Sequence, residues 1–379
     1  MQKLSSDRRR TTTLGFQPPA IGEEEIAAVA ATLRSGWLTT GPSAAELERR
    51  AAEYLEAEHV LALASGTAAL HLALVALDVG PGDEVITTPI TWPATANVIV
   101  HTGATPVFVD VQDDTLNIDP AGVSAAVTER TKAVMPVHLY GQPADMDPLW
   151  ALGIPVVEDA AHAFESAYRG RKLGGLSAAT CFSLYATKNV AAGEGGLLAT
   201  NDPRVAEAVQ DLRLMRRGHG SLYDIPVPGY KANLSDVLAA IALVQLDKLE
   251  RHRELRARQF ALYDGAVADL DGITPLARDA RDVHALHLYV VRVDADRAGA
   301  TRDDYQRALS DELVSTSIHF LPVHRLAWYR ERFTADCPVA EHAGGEVLSL
   351  PLSPAHSDED IGDAIDALRR VHARFSGLR

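Results

Sequence analysis

The stretch SLYATKNVAAGEGG (183–196) sets a lysine, Lys188, just ahead of a glycine run of Gly193, Gly195 and Gly196. Lysine is seldom held inside a protein unless it is paired or reacting, and glycine lets a backbone turn or approach a ligand closely. Asp159 follows the apolar run IPVVE (154–158) and precedes Ala160, Ala161 and His162. A carboxylate at the end of a buried strand needs a cation or strong hydrogen-bond donors. Ser65-Gly66-Thr67-Ala68 follows VLALA (60–64) and opens an apolar helical pattern, where unpaired N–H groups and the helix dipole suit a phosphate. Trp92 lies in ITWPAT, just beyond EVITTP. Each feature also has an ordinary reading: a surface lysine in a turn, an ion pair, a plain capping turn, a core aromatic. Together they supply what pyridoxal 5′-phosphate requires: an amine for a Schiff base, a carboxylate for the ring nitrogen, a phosphate cradle and a flat face for the ring.

Those residues must be positioned by a common scaffold. Short apolar, β-branched runs alternate with helical patterns from VLALA through EVITTP, TPVFVDV (105–111), KAVMPVHLY (132–140) and IPVVEDAA to TCFSLYA and GGLLAT. The rhythm predicts an α/β fold with a mostly parallel, buried central sheet flanked by helices. In such a sheet ligands sit at the carboxyl ends of the strands. One long helical stretch is expected over about 234–265, starting after Asn233 or Ser235. LHLYVVRVD (286–294), TSIHFLP (316–322) and the helical DEDIGDAIDALRRVHARF (358–375) predict a smaller C-terminal α+β domain. The expected organisation is a loose arm over 1–13, a large domain over 14–250 and a small domain over 251–379.

Composition narrows the classes. With 379 residues, 47% hydrophobic and 23% charged, the chain is long enough for two globular domains. Its net charge of −15 argues against a nucleic-acid or acidic-membrane surface. Two cysteines, Cys181 and Cys337, form neither a disulfide framework nor a metal cluster, so no metal is expected. The basic start MQKLSSDRRRTTT is followed by no apolar signal core, and no run is long enough to span a membrane. A cytoplasmic location is the expectation.

Six ordered motifs then carry a resemblance: ASGTAALHLAL, TTPITWPATAN, VEDAAHAF, CFSLYATKNVAAGEGG, GYKANLSDVLAAIALVQL and IHFLPVHRLAWYRERF. The sequence resembles the DegT/DnrJ/EryC/StrS sugar aminotransferases, of fold type I, from about residue 36 to 354. The resemblance implies that Lys188 carries the Schiff base and moves protons, and that Asp159 pairs with the ring nitrogen. It implies that His162, where many relatives have glutamine, bonds the ring oxygen and that Trp92 stacks on the ring. Gly66, the Thr67 and Ala68 amides and the Ser183 hydroxyl would hold the phosphate. Many relatives also reach the neighbouring subunit's phosphate with an asparagine in a GYN motif. Here the motif reads GYKAN, with Lys231 in that place and Asn233 two residues on.

The implied reaction has two halves. An amino donor, L-glutamate, leaves the cofactor as pyridoxamine 5′-phosphate, and a nucleotide-diphosphate-linked ketosugar accepts the amino group. Thr39, Thr40, Tyr185, His319 and His324 stand where the family meets substrate; each histidine has an alternative as a hydrogen-bonded structural residue. The motifs look most like relatives that aminate C4, in a homodimer with shared sites. The alternatives are a cyclitol (inosose) aminotransferase and a non-catalytic protein that binds the cofactor for regulation.

Overall fold

The computed structural model describes residues 9–215, 225 and 228–377. The strands are β1 (His59–Leu63), β2 (Glu84–Thr87), β3 (Thr105–Phe108), β4 (Thr131–Met135), β5 (Val157–Asp159), the two short strands β6 (Ala167–Tyr168) and β7 (Arg171–Lys172), β8 (Ala179–Ser183) and β9 (Gly196–Thr200). Parallel bridges from Val134 to Val156 and from Val137 to Asp159 join the β3-β2-β4 and β5-β8-β9-β1 sheets into one layer. The pairs β2–β3, β2–β4 and β5–β8 are parallel, whereas β9 runs antiparallel to both β8 and β1. The sheet is thus mostly parallel, with one reversed strand. β6 and β7 form a separate antiparallel hairpin.

The strands β2 and β9 are buried along their whole length, the pattern of a sheet covered on both faces. One face carries α3 (Gly66–Ala76) and α4 (Ala94–His101), with Ala69, Leu72, Val98 and Ile99 in one apolar cluster. α2 (Pro42–Leu55) contributes Leu47, Ala51 and Leu55 to the cluster that also holds Ile86, Phe182 and Leu197. α1 (Glu23–Ser35) is tied to the helix Asp236–Asp247 where Glu25 accepts from Gln245 at 2.8 Å.

The long helix expected over 234–265 is two helices, Asp236–Asp247 and Leu249–Val267. Ser235, not Asn233, caps the first, accepting from the Leu238 N–H at 3.5 Å. Lys248 stands at the break, its ammonium held by Glu25 at 2.8 Å, and no glycine or proline marks the position.

Beyond it, β10 (Ile273–Pro275), β11 (Tyr289–Val293) and β12 (Val347–Leu350) form an antiparallel sheet. Its core joins Phe260, Tyr263 and Val267 to Tyr289, Val291, Leu348 and Leu368. Leu14 is buried in the same cluster and bridges to Val314. Of the segment expected as a loose arm, residues 1–8 lie outside the described residues. Arg10 is docked on the C-terminal helix Asp358–Ser376 by ion pairs to Asp360 (2.8 Å) and Asp363 (2.9 Å). Among the described residues no helix is long and apolar enough to cross a membrane.

Candidate active site

Asp159 ends β5 in register with Cys181 of the parallel strand β8. Ser183 ends β8, and the chain turns from there to Lys188, whose N–H is held by the Tyr185 carbonyl at 2.8 Å. Carboxylate and amine therefore leave neighbouring strands at the same carboxyl edge. Lys188 is half-buried, and burial pushes its ammonium down to about 8, with Asp159 pulling the other way. At pH 7 roughly one lysine in ten is then a free amine, against roughly one in three thousand at the ordinary value. Asp159 is buried and pushed up by that burial. The Thr95 hydroxyl (2.7 Å) and the Ala161 N–H (3.1 Å) oppose the rise by donating to its two oxygens.

The β1–α3 turn forms a cradle beside Ser183. Gly66 lies so close to it that a Cβ there would come within 3.0 Å of the Ser183 Cβ. Gly196 explains much of the glycine run: a Cβ on it would lie 2.3 Å from the Ser65 carbonyl carbon, so only glycine lets β9 pass beneath the turn. The first intrahelical bond of α3 runs from the Ala69 N–H to the Ser65 carbonyl at 3.1 Å, which leaves the Gly66 and Thr67 N–H groups ahead of the ladder. The Ala68 N–H, expected to hold phosphate, is engaged by the Ser65 Oγ at 3.0 Å.

An aromatic wall closes the other side. Trp92 is 65% exposed, so it is not a core residue, and its ring centroid lies 6.3 Å from that of Phe320. Phe320 stacks on His162 at 5.9 Å. His162 Nδ1 accepts from the Tyr140 N–H at 3.2 Å, which puts the proton of the neutral ring on Nε2 and makes that nitrogen a donor. Burial, then the Lys188 charge, hold His162 well below the ordinary histidine range. His319 feels the same two influences and falls to about 4; its Nδ1 lies 2.8 Å from the Ser349 Oγ.

Two participants were not singled out from the sequence. His287 packs on His162 at 4.5 Å and lies 2.9 Å from Asn189 Oδ1. Asn189, next to Lys188, donates to the Ala285 carbonyl at 2.9 Å and to Glu165, which is bound in turn by Arg256 at 2.7 Å. A polar residue directly after the lysine was the available signal for Asn189; His287 lies about a hundred positions away and offered none.

The remaining expected residues fall into separate places. Thr39, Thr40 and Asn233 meet: Asn233 Nδ2 donates to Thr40 Oγ1 at 2.6 Å and to Thr39 Oγ1 at 3.4 Å. Lys231 donates to Asn233 Oδ1 and is exposed. This segment runs beside β1, with an Asn233–Leu63 bridge and an Ala64 N–H to Ala232 carbonyl bond of 2.7 Å, near the cradle. Tyr185 is 48% exposed, one turn before Lys188. His324 is buried, its Nε2 3.1 Å from Glu341 Oε1 and its ring packed near Phe108, while its Nδ1 has no hydrogen-bond partner among the described residues.

The arrangement fits pyridoxal 5′-phosphate. Lys188 offers an amine, Asp159 an anchored carboxylate, His162 a neutral donor and Trp92 a flat exposed face; the β1–α3 turn offers the Gly66 and Thr67 N–H groups ahead of the helical ladder.

The family model for DegT/DnrJ/EryC1/StrS aminotransferases matches residues 19–369. The chain is 45% identical to the spore coat polysaccharide biosynthesis protein SpsC of Bacillus subtilis, over 96% of this chain and 98% of that one. The putative sugar aminotransferase Spr1654 of Streptococcus pneumoniae superposes in its PLP form with a TM-score of 0.89 at 35% identity, covering 96% of this chain and 99% of that one. Its PMP form gives 0.90 at 35% identity, covering 97% and 99%. DesI, solved in the presence of its TDP-sugar product, gives 0.90 at 34% identity over 97% of this chain and 95% of that one. The chain belongs to the DegT/DnrJ/EryC1/StrS aminotransferase family and is a pyridoxal-phosphate-dependent aminotransferase.

Proposed function

We propose that the enzyme transfers an amino group from L-glutamate to a nucleotide-diphosphate-linked 4-ketosugar, giving a 4-aminosugar and 2-oxoglutarate. The observation that carries the sugar-nucleotide reading is the likeness, over 97% of this chain, to a relative solved with a TDP-sugar product. The C4 reading rests on CFSLYATKNVAAGEGG and GYKANLSD, which resemble C4-acting relatives more than C3-acting ones.

Bound at this site, pyridoxal 5′-phosphate supplies an electron sink for negative charge at the carbon that loses its proton. The chain's own groups do the rest. The Lys188 amine takes and returns that proton, and its lowered affinity for a proton suits it to do so near neutral pH. Asp159 would hold the ring nitrogen positively charged. His162 Nε2–H would donate to the ring oxygen, and Trp92 would offer its flat face to the ring. The Gly66 and Thr67 N–H groups and the Ser183 hydroxyl would take the phosphate. Lys231 and Asn233 complete the phosphate site of the second subunit in a homodimer, while Thr39, Thr40, Tyr185 and His319 meet the sugar nucleotide.

The reading is tested by incubating the purified enzyme with L-glutamate and a panel of UDP-, dTDP- and GDP-linked ketosugars and free inososes, following 2-oxoglutarate. Turnover of at least one nucleotide-linked 4-ketosugar is expected; turnover of inososes alone would contradict it.

A further inference from the structure

Asp159 has no ion-pair partner within 4 Å among the described residues, although it is 5% exposed. Lys188, His138 and Cys181 are the titratable groups around it, and none of them bonds its carboxylate. Its charge is held instead by two donors, the Ala161 N–H and the Thr95 hydroxyl. Thr95 is fully buried at the start of α4, and its Oγ1 lies 2.7 Å from the Oγ1 of Thr91, itself 2% exposed.

The proton count gives this chain a direction. A threonine hydroxyl has one proton to donate. If Thr95 gives it to the Asp159 carboxylate at 2.7 Å, it has none for Thr91, so Thr91 must donate to Thr95. The competing acceptor, the Trp92 carbonyl, is farther at 3.2 Å. Protonated on Oδ2, Asp159 would have to donate to Thr95, which would then turn its own proton to Trp92 or Thr91; protonated on Oδ1, it would weaken the bond from the Ala161 N–H. Thr91→Thr95→Asp159 is therefore a row of hydroxyls that fits the ionised carboxylate.

We propose that Thr95, oriented by Thr91, is a positioning residue that keeps Asp159 ionised and fixed in rotation for the ring nitrogen of the cofactor. The inference rests on the role given to Asp159 and assigns the means by which that role is maintained. A buried carboxylate with no cation bonded to it leans on its hydrogen-bond donors, and a bond to a charged group is among the stronger ones. Threonine-to-valine replacement removes the hydroxyl while nearly preserving shape.

The test uses the full chain, without cofactor and then loaded. Infrared pH titration of the apoprotein follows the protonated-carboxyl stretch that is missing in Asp159→Asn. In Thr95→Val the midpoint of that band should move to higher pH by about one unit or more, and kcat should fall about tenfold or more. Thr95→Ser should restore both. Thr91→Val, which leaves Thr95 in place, should shift the midpoint in the same direction by less, and it serves as the test should Thr95→Val not fold. A Thr95→Val enzyme with wild-type midpoint and kcat, beside an inactive Asp159→Asn, would overturn the assignment of Thr95 alone. No shift in Thr91→Val would remove the orienting role of Thr91. An active Asp159→Asn would remove the underlying role and the proposal with it.

Discussion

Asp159 pairs in register with Cys181 across the parallel β5–β8 pair, so the strand that ends in the carboxylate is the direct neighbour of the strand that leads to Lys188. Seven residues of chain beyond Cys181 bring the amine into the electrostatic reach of Asp159. In the proposed reaction Lys188 is the reactive amine. Lys188→Ala should remain folded and lose turnover, and borohydride reduction of the loaded wild type followed by peptide mapping should find the label on Lys188. A label on Lys172 or Lys231 would contradict the assignment.

The lowered proton affinity of Lys188 has its own signature. A protonated amine is not a nucleophile, so capture of added pyridoxal 5′-phosphate by the apoprotein should speed up as pH rises and level off above about 8. Rapid-mixing absorbance at a series of pH values reads this directly. A plateau reached only near the ordinary lysine value would show that burial does not act on Lys188 as argued.

Asp159→Asn keeps the shape of the side chain and removes its charge. Loss of several orders of magnitude in the rate of the L-glutamate half-reaction is expected, because electrostatic stabilisation is commonly the largest catalytic contribution. Single-turnover kinetics with L-glutamate measures it without the sugar half-reaction. A near-normal rate would take Asp159 out of the site.

The pair Glu165–Arg256 is 1% and 2% exposed and is bonded to Asn189, the residue after Lys188, which links it to His287. Removing one member leaves a buried charge uncompensated. Glu165→Ala should lower stability by about 3–5 kcal/mol. Urea denaturation checks it, and a wild-type denaturation midpoint would contradict the pair's role.

The proposed sharing of a phosphate site across a dimer has a signature in mixed subunits. Lys188→Ala subunits mixed with subunits carrying Lys231→Ala and Asn233→Ala should recover part of the activity once tagged chains show that subunits have exchanged. Exchange with no recovery would count against a phosphate site completed across the dimer.

Much of this was legible in the sequence because the signals are local. Apolar runs alternating with helical patterns announced the α/β layer; Asp159 ends a strand, and the Ser65–Ala68 turn and Lys188 follow the ends of two others, where the rhythm breaks. The direction of β9 was not legible, since an apolar run buried on both faces reads the same either way. The break at Lys248 has no glycine or proline to mark it. At the Ser65–Ala68 turn the sequence allowed both a phosphate site and a plain capping turn, and Ser65 does cap the Ala68 amide. Thr95 stood inside a recognised motif, yet its bond to Asp159 spans 64 residues and depends on packing that no short pattern encodes.

Amination of a nucleotide-linked sugar at C4, as proposed, is tested most directly by NMR of the product. With L-glutamate and a nucleotide-linked 4-ketosugar, the product's nitrogen should be placed on C4 of the sugar ring, with one 2-oxoglutarate formed per sugar. Nitrogen placed on C3, from activity on 3-ketosugars and none on 4-ketosugars, would contradict the claim.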